Sequence, residues 1–187
     1  MQKHCLKNNM TFKDYYNQEL KKKLMEELHI ANPMAVPRLI KVVINVGAGE
    51  AVTSKGVIDK IQEQLTLIAG QRAVVTKARK SISAFKIRMG QAIGVKVTLR
   101  GDHMYHFIQK LVSIVIPRLR DFRGITETSV DQHGNLNLGF TEQTIFPEIE
   151  FDKIDKIRGL QVTIVTTAGN KEKGKKLFTL MGIPFKT

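Results

Sequence analysis

The chain has little of what many function classes require. A single cysteine, Cys5, leaves no intrachain disulfide and points to a reducing compartment. Tryptophan is absent and aromatics make up 6% of the residues. No strand-like stretch interleaves aromatics of the kind on which unpaired bases stack. No apolar run approaches the ~20 residues of a membrane-spanning helix, and no helical stretch sets basic residues opposite a broad greasy face. A membrane partner is therefore not expected. Linker-like, low-complexity and repeated segments are missing as well. The reading is one compact α+β domain over residues 11–187, preceded by an extension over residues 1–10, with Met10 a second candidate start. That extension lacks the apolar core of a signal peptide.

The most informative absence is acidic. From Arg72 to Arg100 there is no Asp or Glu, yet the stretch holds Arg72, Lys77, Arg79, Lys80, Lys86, Arg88, Lys96 and Arg100. It thus contributes +8 of a formal net charge of +13. The segment opens with Ala73-Val74-Val75-Thr76 and closes with Val95-Lys96-Val97-Thr98-Leu99-Arg100, both strand-like. An ordered segment with this much self-repulsion calls for a polyanion to neutralise it, and nucleic acid is the indicated partner.

Helical spacing begins at Thr11 and runs to about His29, with Asp14 imitating a capping box and Tyr15, Leu20, Leu24 and Leu28 as the apolar stripe. Residues 38–46 read as a strand, with Ile40, Val42, Ile44 and Val46 on one face and Lys41, Val43 and Asn45 on the other. A helix from about Lys55 to Ile68 stops at Gly70. Residues 78–92 form a loop too long for a simple hairpin turn, and with few apolar anchors they are expected to be mobile. Asp102 is expected to cap a helix from His103 to about Ile116, ended or kinked by Pro117. Residues 135–140 and 161–167 alternate as strands, and Asn170 is expected to cap a last helix to about Met181. These patterns give a mainly antiparallel sheet with helices on one face and a polar, basic face open for RNA.

Other motifs weaken on inspection. Gly47-x-Gly49 lacks the third small residue, Val52 standing in its place, and no acid follows the next strand; a tight turn needing positive φ is the expectation. His103 and His106 have no carboxylate or thiolate companion and read as surface residues. Glu148, Glu150, Asp152 and Asp155 read as a solvated acidic patch.

Several blocks nevertheless match a known pattern in order and spacing. They are Val75-Thr76-Lys77-Ala78-Arg79-Lys80-Ser81-Ile82, Phe85-Lys86-Ile87-Arg88, Ile93-Gly94 and Lys96-Val97-Thr98-Leu99-Arg100-Gly101. Pro117-Arg118-Leu119-Arg120-Asp121-Phe122-Arg123-Gly124, Ile145-Phe146-Pro147-Glu148-Ile149, Thr166-Thr167-Ala168 and Pro184-Phe185 follow. Together they closely resemble the bacterial-type large-ribosomal-subunit protein five family. The resemblance implies a non-catalytic protein of the central protuberance, without cofactor or metal, on a cytoplasmic or organellar ribosome. Its implied partners are 5S rRNA, large-subunit rRNA, P-site tRNA, a protein of the small-subunit head and neighbouring central-protuberance proteins. The implied 5S rRNA positions are Asn45, Gln71 and Thr98, with Arg72 and Lys96 beside them. The implied tRNA-contacting loop is 78–92, carrying Arg79, Lys80, Ser81, Phe85, Lys86 and Arg88, with Lys77 at its entry. The bridge surface would fall near 131–141. Ser83-Ala84 replaces the family's usual Ala-Gly, Ala73 and Ala92 stand where proline is common, and Val130-Asp131-Gln132-His133-Gly134 is less basic than usual.

Two rivals remain from the residues themselves. A free regulatory RNA- or DNA-binding protein would share the basic segment but not the full set of blocks. An enzyme holding a nucleotide at Gly47 and Gly49 would need the missing acid.

Overall fold

A computed structural model describes residues 11–52, 56–119, 123–150 and 154–186. The extension with His4, Cys5 and Met10, the helix start at Lys55, the block residues Arg120, Asp121 and Phe122, and Asp152 lie outside the described residues. Five strands form one antiparallel sheet in the order β2-β3-β1-β5-β4: β1 Leu39–Gly47, β2 Val74–Lys77, β3 Ala92–Leu99, β4 Leu136–Phe140 and β5 Leu160–Thr166. With its helices this is the expected α+β architecture. Contacts gather the chain into two units, residues 1–42, 100–138 and 163–187, and residues 43–99 and 139–162.

In the first unit, α1 runs through Phe12–Tyr15, a π-helical turn at Tyr16–Leu20, and Lys21–Glu27. Thr11 caps it, its hydroxyl accepting the Asp14 amide and donating to the Asp14 carboxylate at 2.6 Å. Tyr15, Leu20 and Leu24 are buried as the stripe requires, and Tyr16, which the stripe omits, is buried too. The π-turn swings Tyr16 inward, and its hydroxyl donates to the Pro37 carbonyl at 2.8 Å. The second long helix of this unit, α3, comprises Gly101–Lys110, a π-turn at Leu111–Val115, and Ile116–Arg118. Pro117 sits in the last turn, one residue before the helix ends at Arg118. It has no N–H to give and its ring crowds the carbonyl four residues back, so the widened turn just before it accommodates both defects. Asp102 is not the cap either: it lies in the first turn and pairs with Lys13 at 2.8 Å. Asn170 occupies the cap position of α4, Lys171–Leu180, without a side-chain cap bond.

Asp131 organises the turn into β4. Its carboxylate accepts the His133 amide at 2.9 Å, the Asn135 amide at 2.7 Å and the Asn135 side-chain amide at 2.8 Å. Burial opposes its charge, but those three donors outweigh it and hold the carboxyl below the ordinary value. A depressed pKa contributes stability above the unfolded value of about 3.9, lost as pH falls through the folded one. In an acid titration followed by NMR, the His133 and Asn135 amides should therefore shift together only below the ordinary carboxylate range, and Asp131→Asn should abolish that transition. Amides titrating at the unperturbed value would contradict this.

In the second unit, α2, Gly56–Ala69, packs Ile58, Ile61, Leu65 and Ile68 toward β3, whose Val95, Val97 and Leu99 are buried. Each such side chain contributes about 1.5–3 kcal/mol, against at most about 1 kcal/mol for an exposed ion pair, so apolar packing sets this arrangement. Ala73 ties β2 to the helix: its carbonyl accepts Gln62 Nε2 at 2.8 Å and its amide donates to Thr66 Oγ1 at 3.1 Å. Gly47 and Gly49 do not adopt positive φ, contrary to expectation. The chain turns instead through a short 3₁₀ segment, Gly49–Val52, anchored where Glu50 meets Lys156 and Arg158.

Candidate nucleic-acid interface

Period-two alternation builds the interface. Val42, Ile44 and Val46 of β1 are buried, as are Val95, Val97 and Leu99 of β3, so Asn45 and Lys96 project outward and are exposed, with Thr98 half-exposed. Register extends this surface onto β2, where Val74 pairs with Lys96 and Thr76 with Gly94. Gly94 is there for a close approach: a Cβ at this position would lie 2.8 Å from the Val46 carbonyl and 3.0 Å from Thr76 Oγ1. Gln71 and Arg72, both exposed, precede β2 at the edge of the sheet.

Hydrogen-bonding capacity then separates the polar residues. Asn137 and Thr163, alternating outward on β4 and β5, bond each other at 2.8 Å, and Asn135 is engaged by Asp131 and the Thr166 amide. These are satisfied within the fold. Among the described residues, the side chains of Asn45, Gln71 and Thr98 make no hydrogen bond. Gln161, exposed on β5, shares that property; only its strand alternation hinted at it.

The basic segment is equally unengaged. Ion pairs involve Lys13, Lys60, Lys156, Arg158 and Lys175, while among the described residues none of the eight cations from Arg72 to Arg100 has an acidic partner. Asp155, placed by sequence in a solvated acidic patch, instead pairs with Lys60 at 2.6 Å.

Residues 78–92 are not an open loop. The β2–β3 ladder continues into them: Ala78 donates to the Gln91 carbonyl, Gly90 to the Ala78 carbonyl, and Ile82 and Ile87 exchange both backbone bonds at 2.9 and 3.1 Å. A 3₁₀ turn, Ser83–Phe85, closes the tip, followed by Lys86 at φ 54°. Ser81 Oγ accepts the Met89 amide at 2.9 Å and so braces the hairpin. Ala92, Ile93 and Gly94, read as loop or loop end, belong to β3. The finger that results holds Lys77, Arg79, Lys80, Lys86 and Arg88 exposed, with Phe85 and Met89 at 70% and 73% exposure. Such a surface matches a phosphate-bearing partner.

Comparison with known proteins agrees with these features. Residues 32–88 match the family model "Ribosomal protein L5", and residues 92–185 match the model of the same ribosomal family's C-terminus. The large ribosomal subunit protein uL5 of Anaeromyxobacter sp. (strain K) is 53% identical over 93% of this chain and 97% of its own length. Its counterpart in Desulfotalea psychrophila is 52% identical over the same shares, and that of Acholeplasma laidlawii 51% over 94% and 97%. The chain belongs to the ribosomal protein L5 family, whose members are structural, non-enzymatic components of the large ribosomal subunit.

Proposed function

We propose that this subunit protein holds 5S rRNA on the outer face of β1 and β3 and reaches P-site tRNA with its hairpin finger, on the ribosome in the cytoplasm. The observation that carries the first part is the coincidence of open hydrogen-bonding groups on Asn45, Gln71 and Thr98 with unpaired cations on Arg72 and Lys96. Short polar side chains on a rigid sheet fix register on an RNA backbone, and the cations supply affinity through counterion release. The finger, with Lys77, Arg79, Lys80, Phe85, Lys86 and Arg88, is braced by its own ladder and by Ser81. It presents charge at a distance from the sheet face in sequence and along the hairpin. Residues 131–141 are assigned to the contact with a small-subunit head protein; Asp131 stabilises that turn rather than supplying charge to the partner.

Division of labour is the testable part. Replacing Lys80, Lys86 and Arg88 together with glutamine should leave folding and 5S rRNA affinity unchanged, because none of the three lies on the β1–β3 face. P-site tRNA should dissociate at least about tenfold faster from ribosomes carrying the variant, since three phosphate-directed charges leave the contact. Unchanged tRNA dissociation, or 5S rRNA affinity lost with the charges, would contradict the assignment.

A further inference from the structure

The first unit carries a groove of about 500 Å³ that the open sheet face does not use. Lys13, Lys21 and Arg38 line it, together with Met34, Ile40 and Tyr105, and among the described residues no acidic side chain does. We propose that this groove takes a single unpaired nucleotide of ribosomal RNA, as a second RNA contact independent of the partner assigned to the sheet face.

Charge is the first argument. Asp102 holds Lys13 at 2.8 Å, but among the described residues Lys21 and Arg38 have no acidic partner. Arg38 lines the groove beside Tyr16 and Tyr105. Burial pushes the phenols of Tyr16 and Tyr105 up, and the Arg38 charge acts on both in the opposite direction. Two unpaired cations on one concavity suit a phosphate.

Shape and polarity supply the second. Met34 is 84% exposed and Ile40 43%, although the alternation of β1 places Ile40 with the buried Val42 and Ile44. Apolar side chains left exposed at the groove beside cations fit the flat face of a base, and the half-buried Tyr105 makes no hydrogen bond among the described residues, leaving its hydroxyl for a base edge. The volume lies within the roughly 300–1,000 Å³ of small-ligand sites, enough for one nucleotide and too little for a duplex. The chain's own first ten residues are the wrong occupant by charge: they carry Lys3 and Lys7 and no acid. Membership of a large-subunit protein family places the groove in a particle whose abundant polyanion is RNA.

The test is ultraviolet crosslinking of large subunits containing the protein, followed by digestion and mass spectrometry. A nucleotide adduct is expected on Met34 or Tyr105. The double variant Lys21→Gln, Arg38→Gln should lower its yield about tenfold or more. Met34→Glu, at a site too exposed to affect packing, should lower it comparably by setting an anion against the phosphate. Thermal melting should be unchanged in both variants. No adduct in the groove, an adduct to a peptide of another protein or of residues 1–10, or a yield unaffected by both variants would overturn the proposal. Adducts on Asn45 or Lys96 in the same sample report the sheet face separately, so either assignment can fail alone.

Discussion

Replacing Arg72 and Lys96 together with glutamine should weaken 5S rRNA binding about 25- to 60-fold at 0.1 M salt. Each phosphate contact contributes roughly 0.7–0.9 to the slope of log affinity against log salt, equivalent to about five- to eightfold at that concentration. Two lost contacts multiply, and the slope should fall by about 1.4–1.8. Both side chains are exposed and without an acidic partner among the described residues, so the change leaves no buried charge behind. Filter binding across a salt series measures affinity and slope in one experiment. An unaltered slope would show that neither cation touches phosphate.

A large loss of stability from a single methyl group is expected at Gly134. Its φ of 80° is left-handed, and a Cβ there would meet the Asn170 carbonyl and the Ala168 Cβ, both at 2.7 Å. The opposing Gly174 of α4 is equally tight: a Cβ on it would lie 2.6 Å from the Gly134 Cα. Gly134→Ala therefore combines left-handed strain with overpacking against backbone, together about 3 kcal/mol. Urea unfolding should show a lower midpoint with an unchanged slope. Gly139→Ala, on the exposed side of β4 with nothing within 4 Å of its Cβ position, is the control and should cost far less. Equal midpoints for the two variants would refute the contact argument.

How much of this is legible in sequence depends on which force decides each element. Where burial and period-two spacing act together, sequence and structure agree: Val42, Ile44 and Val46, then Val95, Val97 and Leu99, are buried, and their polar neighbours Asn45, Lys96 and Thr98 face outward. The stretch without acid is equally plain, because charge can be read without coordinates. Local rules fail where a distant residue competes. Asp102 lies inside the first turn of α3 rather than at its cap, and its carboxylate meets Lys13, eighty-nine positions away. Ile40 has the parity of a core residue but is exposed among the described residues. Pro117 reads correctly as the end of α3, which stops at Arg118, but the π-turn before it has no sequence signal. The hairpin reads as a loop because its ladder rests on backbone bonds and on Ser81, and neither has a hydrophobic signature. Which polar side chains remain receptive is also invisible, since Asn137 and Thr163 look no different in sequence from Asn45 and Thr98.

The central claim is that the β1–β3 face grips 5S rRNA through hydrogen bonds from a rigid sheet. Equilibrium titration of 5S rRNA with the parent protein and with Thr98→Val tests it most directly. Valine keeps the shape and strand preference of threonine at this half-exposed position, so the fold should be unaffected. Removing the hydroxyl leaves its RNA partner unsatisfied, and binding should weaken by about 1–3 kcal/mol, roughly five- to 150-fold. The salt slope should not change, because no charge is lost. Equal affinity of the two proteins for 5S rRNA would contradict the account.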